Sequence, residues 1–121
     1  MTRTLSGFIL IVAAALATAS AAGEYTVAAN WLKLPEGRAQ LGNQHGDIAV
    51  SSAGDVYVSV QDPAAGLQVF APDGKFLRNV NGAPSDFHGF VIHKEAGGEF
   101  IYGATLRGQT IVKMTLDGAM S

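Results

Sequence analysis

From residue 44 onward, short apolar runs alternate with turn-forming residues. Ser52–Asp55 and Asp62–Gly66 have the composition of turns or loops, and Asp73-Gly74 is a hairpin signal because glycine accepts a positive φ. Short strands at this spacing predict an all-β fold. The first part of the pattern predicts four strands, at Asp47–Ser51, Val56–Val60, Leu67–Phe70 and Phe76–Val80.

The pattern then repeats. His45-Gly46 opens the first copy and His88-Gly89 opens the second, 43 residues later. The hairpin signal Asp73-Gly74 recurs as Asp117-Gly118, at a spacing of 44 residues. A four-stranded repeat of about 40–45 residues is typical of a β-propeller blade. We therefore predict blade one at about 44–81 and an incomplete blade two at about 87–121.

Several predicted strands are apolar on both faces, as in Val56–Val60 and Phe90–Ile92. A blade stacked between two neighbours buries both faces, which explains this pattern. Tyr25–Leu32 has the composition of one more strand, and we predict a closing strand at about 24–34 that supplies the outer strand of the last blade. Because two blades are too few to close a ring, we expect the chain to be the N-terminal fragment of a longer propeller.

The N-terminus has the three zones of a signal peptide. Arg3 is followed by an uncharged run of 13 residues, Leu5–Ala17, and then by small residues that fit the cleavage pattern as Ala19-Ser20-Ala21 or, one residue later, as Ser20-Ala21-Ala22. The alternative is a transmembrane anchor, for which the run is short of the roughly 20 residues that a bilayer needs. We predict a helical signal peptide at 1–22, a secreted or periplasmic mature part at 23–121, and no membrane partner after cleavage.

Composition excludes several functions. The formal net charge is −2 and no run of Lys or Arg occurs, so nucleic acid is not an expected partner. The chain has 0 Cys, which excludes disulfides, thiolate metal sites and a cysteine nucleophile.

Two segments carry a family resemblance. Gly46–Val58 and Val69–Phe76 resemble the NHL-type repeat of six-bladed propellers, and the likeness extends over about 31–120. NHL repeats commonly begin a blade with Pro-x-Gly, whereas both blades here begin with His-Gly. That variant is similar to exported bacterial propellers and to the peptidylglycine amidating lyases. The lyase resemblance implies a structural calcium, a zinc bound by three histidines from different blades, and cleavage of peptidyl-hydroxyglycine. His45 and His88 would supply two of these ligands.

The residues themselves also suggest a site. His45 and His88 occupy the same phase of successive repeats, so in a propeller they converge at the mouth of the channel, where neutral imidazoles suit Zn²⁺. Alternatively, each histidine hydrogen-bonds a neighbouring blade. Asp47 and Asp86 flank the histidines and would orient an imidazole or bind calcium, or else they solvate loops.

Two functions follow from these expectations. The first is an exported scaffold that uses its channel face to hold a small-molecule, peptide or protein ligand. The second is a metal-dependent lyase or hydrolase similar to peptidylglycine amidating lyase, with zinc on the channel histidines. Fold alone does not decide between them, because propellers serve many functions.

Overall fold

The chain folds into two antiparallel β-sheets. The structure, a computed structural model, describes residues 25–44 and 46–121. The predicted signal peptide and His45 lie outside the described residues. Within these two ranges there are seven strands and no helix, which confirms the all-β prediction. It follows that no helix of the described part could cross a membrane.

The first sheet is a four-stranded meander that follows chain order. Each strand pairs antiparallel with the next, as in the partners Tyr57 and Val69. The four strands predicted for the first repeat are confirmed, with ends that differ by no more than one residue. They are β1 (Ile48–Val50), β2 (Val56–Ser59), β3 (Leu67–Phe70) and β4 (Phe76–Asn79).

The second sheet repeats the meander with three strands, in the order β5-β6-β7. After β7 the chain turns back, and a single antiparallel bridge joins Met114 to Met120 where a fourth strand would begin. The strands are β5 (Phe87–Glu95), β6 (Gly98–Thr105) and β7 (Ile111–Thr115).

The hairpins that follow β3 and β7 have the same geometry. Ala71 N–H donates to the Lys75 carbonyl at 2.8 Å, and Thr115 N–H donates to the Ala119 carbonyl at 2.8 Å. Gly74 has a φ of 82° and Gly118 a φ of 98°, in the region that residues with a Cβ avoid. The two predicted Asp-Gly turns are thus formed, and they match at a spacing of 44 residues.

Strand register extends the equivalence of the two sheets. Tyr57 pairs with Val69 in the first sheet, and Tyr102 pairs with Lys113 in the second. The third-strand partners are again 44 residues apart, whereas the two tyrosines are 45 apart because the loops differ in length. Each sheet is therefore one copy of the same structural unit.

An apolar core lies between the two sheets. Both sheets contribute fully buried side chains, so neither forms this core alone. Its members are Tyr57, Leu67, Val69 and Val80 from the first unit, and Phe87, Phe90, Ile101 and Met114 from the second. The opposite face of the first sheet packs Val58 and Phe70 against Trp31, Leu32 and Leu41 of the N-terminal segment. Hence β3 is buried along its whole length.

Polar contacts fix how the sheets are stacked. Between the sheets, the strands approach most closely at β1 and β5. Both the backbone N–H and the hydroxyl of Ser52 donate to the Glu99 carboxylate, at 2.8 and 2.6 Å. At the outer side, Arg78 Nη2 donates to the Leu116 carbonyl and to Asp117 Oδ1, both at 3.1 Å.

The predicted strand over Tyr25–Leu32 is not formed. A turn occupies residues 29–30, Asn30 has a φ of 58°, and only Lys33 makes a bridge, parallel to Lys75. An outer strand needs a third strand of its own sheet beside it, and the described residues offer none to this segment. The closing strand predicted at about 24–34 belongs to the last blade of a complete propeller, so it stays a prediction.

We expect Gly103→Ala to destabilise the protein, because a Cβ on this glycine would overlap the buried Phe87 ring. Overpacking of a dense core costs about 1–3 kcal/mol. Gly97→Ala is the matched control, since its Cβ would come no nearer than 3.8 Å to any atom outside its chain neighbours. Urea unfolding of both variants measures the difference. Equal stability of the two variants would contradict the packing of β6 on Phe87.

Candidate functional site

One end of both sheets gathers the linkers and the longer loops. Residues 34–44 and 46–47 lead into β1, residues 80–86 lead into β5, and loops 60–66 and 106–110 follow β2 and β6. We call this the linker end, and the opposite end, with turns 51–55, 71–75 and 115–119, the hairpin end. The antiparallel meander places the starts of β1 and β5 together at the linker end. The sequence-predicted residues Asp47, Asp86 and His88 therefore lie there, and His45 lies outside the described residues.

A β-bulge turns the His88 side chain outward. Phe87 pairs with Thr105 while Gly89 pairs with Ala104, so Phe87 and His88 together face one residue of β6. As a result Phe87 is fully buried and His88 is exposed. Bulges commonly redirect side chains beside functional sites. The extra residue in β5 is thus what presents this imidazole at the surface.

The start of β1 lies tightly against the start of β5. A Cβ on Gly46 would lie 2.8 Å from the Phe87 carbonyl oxygen and would also meet the Ser59 hydroxyl. Only glycine fits this point, as expected for a residue that allows close backbone approach. A Cβ on Gly89 would lie 3.4 Å from Asp47 Oδ2. Asp47 is therefore brought next to the segment that carries His88.

Asp86 holds the loop that follows β6. Its Oδ2 accepts the Arg107 backbone N–H at 2.8 Å and lies 3.6 Å from Arg107 Nε. Its carbonyl accepts the Leu106 N–H at 3.0 Å. These contacts engage the Asp86 carboxylate and carbonyl with the loop that follows β6.

The first unit has the same type of anchor. The Asn43 carbonyl accepts the Gln61 N–H at 2.8 Å, which is the counterpart of the bond between Asp86 and Leu106. In the same loop, the Ala64 N–H and then the paired Arg38 guanidinium hold the pKa of the Asp62 carboxyl below its ordinary value. Both linkers are thus tied to the loop beside them, and this end presents a fixed backbone.

The ligand set implied for zinc or calcium is not assembled by the described residues. Over 25–44 and 46–121, no three His, Cys, Asp or Glu residues form a group that could hold a metal ion. Asp86 is paired with Arg107, and Asp47 and His88 are the two potential ligands whose segments adjoin. Two donors form an incomplete site.

A polar cluster that the sequence analysis did not identify lies on the face of the second sheet that points away from the first. Lys113 Nζ lies 3.0 Å from Glu95 Oε2 and 4.4 Å from the centre of the Phe100 ring. The Tyr102 hydroxyl donates to Glu95, and the His93 ring meets Tyr102 edge-on at 6.3 Å. The sequence offers one signal for this cluster, the strand-like alternation from Val91 to Glu95. It does not show that Glu95, Tyr102 and Lys113 are neighbours, because that depends on the register between the three strands. We call this face, defined by Val91, His93, Glu95, Phe100, Tyr102, Ile111 and Lys113, the open face.

Comparisons of the chain with protein-family models, with curated proteins and with solved structures give no match. The resemblance to NHL-type repeats therefore stays a prediction that rests on the residues quoted for it. The structure itself shows a pair of equivalent units, a fixed linker end and an open face.

We expect the pKa of Glu95 to lie below its ordinary value of 4.5, first because it accepts the Tyr102 hydroxyl and then because of Lys113. The Tyr102→Phe variant removes the first cause, so the pKa of Glu95 should rise toward 4.5. A carboxyl ¹³C titration by NMR measures the change. Because the pKa of Glu95 is lower in the folded state, its carboxylate stabilises the fold at pH values above the ordinary pKa. This stabilisation is lost as the pH falls through the folded-state pKa.

Glu99 serves as the internal control in the same titration. Its pKa is lowered by the Ser52 hydroxyl and backbone N–H, which Tyr102→Phe does not touch. If the pKa values of Glu95 and Glu99 both change in the variant, or if neither changes, the result would contradict the cluster.

Proposed function

We propose that this chain provides two blades of an NHL-like β-propeller, exported by its N-terminal segment, and acts as a binding scaffold. The ligand face is the linker end, around the starts of β1 and β5. The observation that carries the proposal is the stacking of two equivalent meanders with their first strands together.

The way the sheets stack supports the propeller. Blades of a propeller are four-stranded sheets arranged radially around a channel, so their innermost strands lie nearest to each other. Here β1 and β5 are the strands at which the sheets approach most closely. The shared register at Tyr57 and Tyr102, with matching hairpins at Gly74 and Gly118, is what repeated blades require.

The surroundings of the first sheet support the same architecture. One of its faces is covered by the second sheet, and the other is covered in part by residues 31–41, which leave Ile48 and Val50 of β1 exposed. A blade inside a ring has covered faces of this kind, whereas the sheet of an isolated meander commonly exposes one face to water.

The linker end has features of a ligand face. The bulge exposes His88, and the close approach at Gly46 brings Asp47 beside Gly89. Loops anchored by Asp86 and by Asn43 surround these residues and hold them in place. Polar side chains held by a fixed backbone at a blade junction suit recognition of a small polar or peptide ligand.

The scaffold proposal predicts that the purified protein retains no stoichiometric zinc. The experiment is equilibrium dialysis against Zn²⁺ followed by metal analysis of wild type, His45→Ala and His88→Ala. Two donor segments do not complete a zinc site, so the three proteins should retain the same trace amount. One zinc per chain in wild type, lost in both variants, would favour the lyase or hydrolase alternative and overturn the scaffold.

The scaffold proposal also predicts where peptides bind. A random peptide library displayed on phage is selected against the immobilised protein, and the winners are titrated against two charge-reversal variants. Asp47→Arg, at the linker end, should weaken binding at least tenfold. Asp73→Arg, in an exposed turn at the hairpin end, is the matched control and should leave binding unchanged. Loss of binding in Asp73→Arg alone, or no selected peptide at all, would contradict the proposed ligand face.

A further inference from the structure

We propose that the first sheet carries a second binding site, a cavity that takes a single neutral sugar ring. The site goes beyond the proposed function, because it shares no residue with the starts of β1 and β5 and does not depend on the propeller. The cavity has a volume of about 270 Å³ and lies on the face of the first sheet that points away from the second. We call it the outer cavity, and its lining includes Glu36, Arg38, Ala64, Gln68, Phe76 and Asn79.

The outer cavity lies where four segments of the chain meet. Residues 35–38 of the linker before β1 form one wall, the loop between β2 and β3 forms another, and β3 and β4 lie beneath them. A register shift between β3 and β4 brings Phe76 and Asn79 to the same face of β4, although they are three residues apart. The cavity is therefore complete within the first unit and its linker.

The linker that forms this wall is longer than its counterpart in the second unit. Trp31 and Asn81 hold equivalent places, since their carbonyls lie against the glycines of the two matching hairpins. Ala49 follows Trp31 by 18 residues. Its register counterpart, Val91, follows Asn81 by only 10 residues. The repeat does not need the additional residues to join two strands, and loop segments of this kind commonly carry function.

Gln68 presents a buried acceptor to the outer cavity. The residue is 1% exposed and belongs to the cavity lining. Its Nε2 donates to Asn79 Oδ1 at 3.3 Å, whereas its Oε1 has no hydrogen-bond partner among the described residues. A buried acceptor without a partner is destabilising, and such atoms are commonly paired with a protein group, a water or a ligand. A donor placed in the cavity would satisfy this one.

Neighbouring groups fix which atom of the Gln68 amide is left over. The Ala64 carbonyl can only accept, and it accepts the Asn79 Nδ2 group at 3.2 Å. Asn79 Oδ1 therefore faces Gln68, and only Nε2 of Gln68 can donate to it. Turning either amide around would set two acceptors against each other. The remaining atom is thus an acceptor, and its ligand must supply an O–H or N–H group.

Arg38 supplies the complementary donor. Its Nη1 is buried without a partner among the described residues, while its Nη2 pairs with the Asp62 carboxylate. Glu36 also lines the cavity, so an anionic ligand would meet a carboxylate and a cationic ligand would meet the guanidinium. A neutral ligand that both donates and accepts fits these groups best, and a hydroxyl does both.

The size and the apolar wall of the cavity select a sugar ring among neutral ligands. Its volume is just below the roughly 300–1,000 Å³ of pockets that hold drug-sized ligands. Phe76 lines the cavity, and an aromatic ring packs against the C–H face of a sugar while the neighbouring amides of Gln68 and Asn79 bind its hydroxyls. Because walls from four segments surround a small space, the site suits one ring rather than an extended chain.

The test is an NMR titration of the ¹⁵N-labelled full chain, as it is expressed and exported. The probes are the methyl glycosides of glucose, mannose, galactose and N-acetylglucosamine, each used separately, and inorganic phosphate. At least one glycoside should cause saturable shifts of the Gln68 and Asn79 side-chain amide signals, with a Kd on the order of 1 mM. A cavity that takes water alone would give no saturable shift, and a response to phosphate alone would indicate an anion site. Either result would overturn the proposal.

A variant with a matched control assigns the binding to the cavity. Gln68→Leu removes the acceptor while keeping a side chain of similar size, and should raise the Kd at least tenfold. Gln61→Leu is the control, because Gln61 Nε2 is also buried without a partner among the described residues but Gln61 does not line the outer cavity. This control should bind with the Kd of wild type. An equal loss in both variants, or in neither, would contradict the assignment.

A second variant keeps the proposal testable if Gln68→Leu does not fold. Ala64 is exposed and lines the cavity, so a larger side chain there reduces the space without entering the core. Ala64→Leu should raise the Kd at least tenfold while the midpoint of urea unfolding stays that of wild type. Wild-type affinity in this folded variant would overturn the proposal.

Discussion

The structure depends on the burial of apolar side chains between two sheets, neither of which has enough of them to form a core alone. Tyr57 and Val69 on one side meet Phe87, Ile101 and Met114 on the other, and all are essentially inaccessible to water. Burial of a large apolar side chain contributes about 1.5–3 kcal/mol, whereas a surface ion pair contributes about 0–1 kcal/mol. The apolar layer therefore holds the sheets together, and the polar contacts at Ser52 and Arg78 set how they are aligned.

The same constraint explains the surfaces left over. The second sheet repeats the first, but its open face carries the ion pair of Glu95 and Lys113 beside the exposed Val91 and Ile111. The linker end lies at the ends of the strands rather than on their faces, so the stacking of the two sheets leaves Asp47 and His88 exposed there.

Local sequence signals predicted most of the fold. Asp-Gly turns and short Val- and Phe-rich runs gave the four strands of the first sheet to within one residue, because turn chemistry and alternation act over a few residues. Residues 25–32 form no strand within the described residues, because a strand requires a partner and composition cannot supply one, so the closing strand at about 24–34 stays a prediction. For the site, the spacing of His45 and His88 indicated that both residues stand at the same position of successive repeats. The bulge at His88 and the contact of Asp86 with Arg107 could not be predicted, because both depend on how β5 pairs with β6. The cluster of Glu95, Tyr102 and Lys113 spans three strands, so only the register brings it together.

The central claim is that the two repeats stack face to face as equivalent units, and inter-sheet nuclear Overhauser effects measure this most directly. In a methyl- and aromatic-labelled sample, the account predicts cross-peaks from the Tyr57 ring to the side chains of Ile101 and Met114, alongside the backbone cross-peaks of each meander. Intact meanders with no cross-peaks between the sheets would contradict it, since each sheet would then be folded without the other.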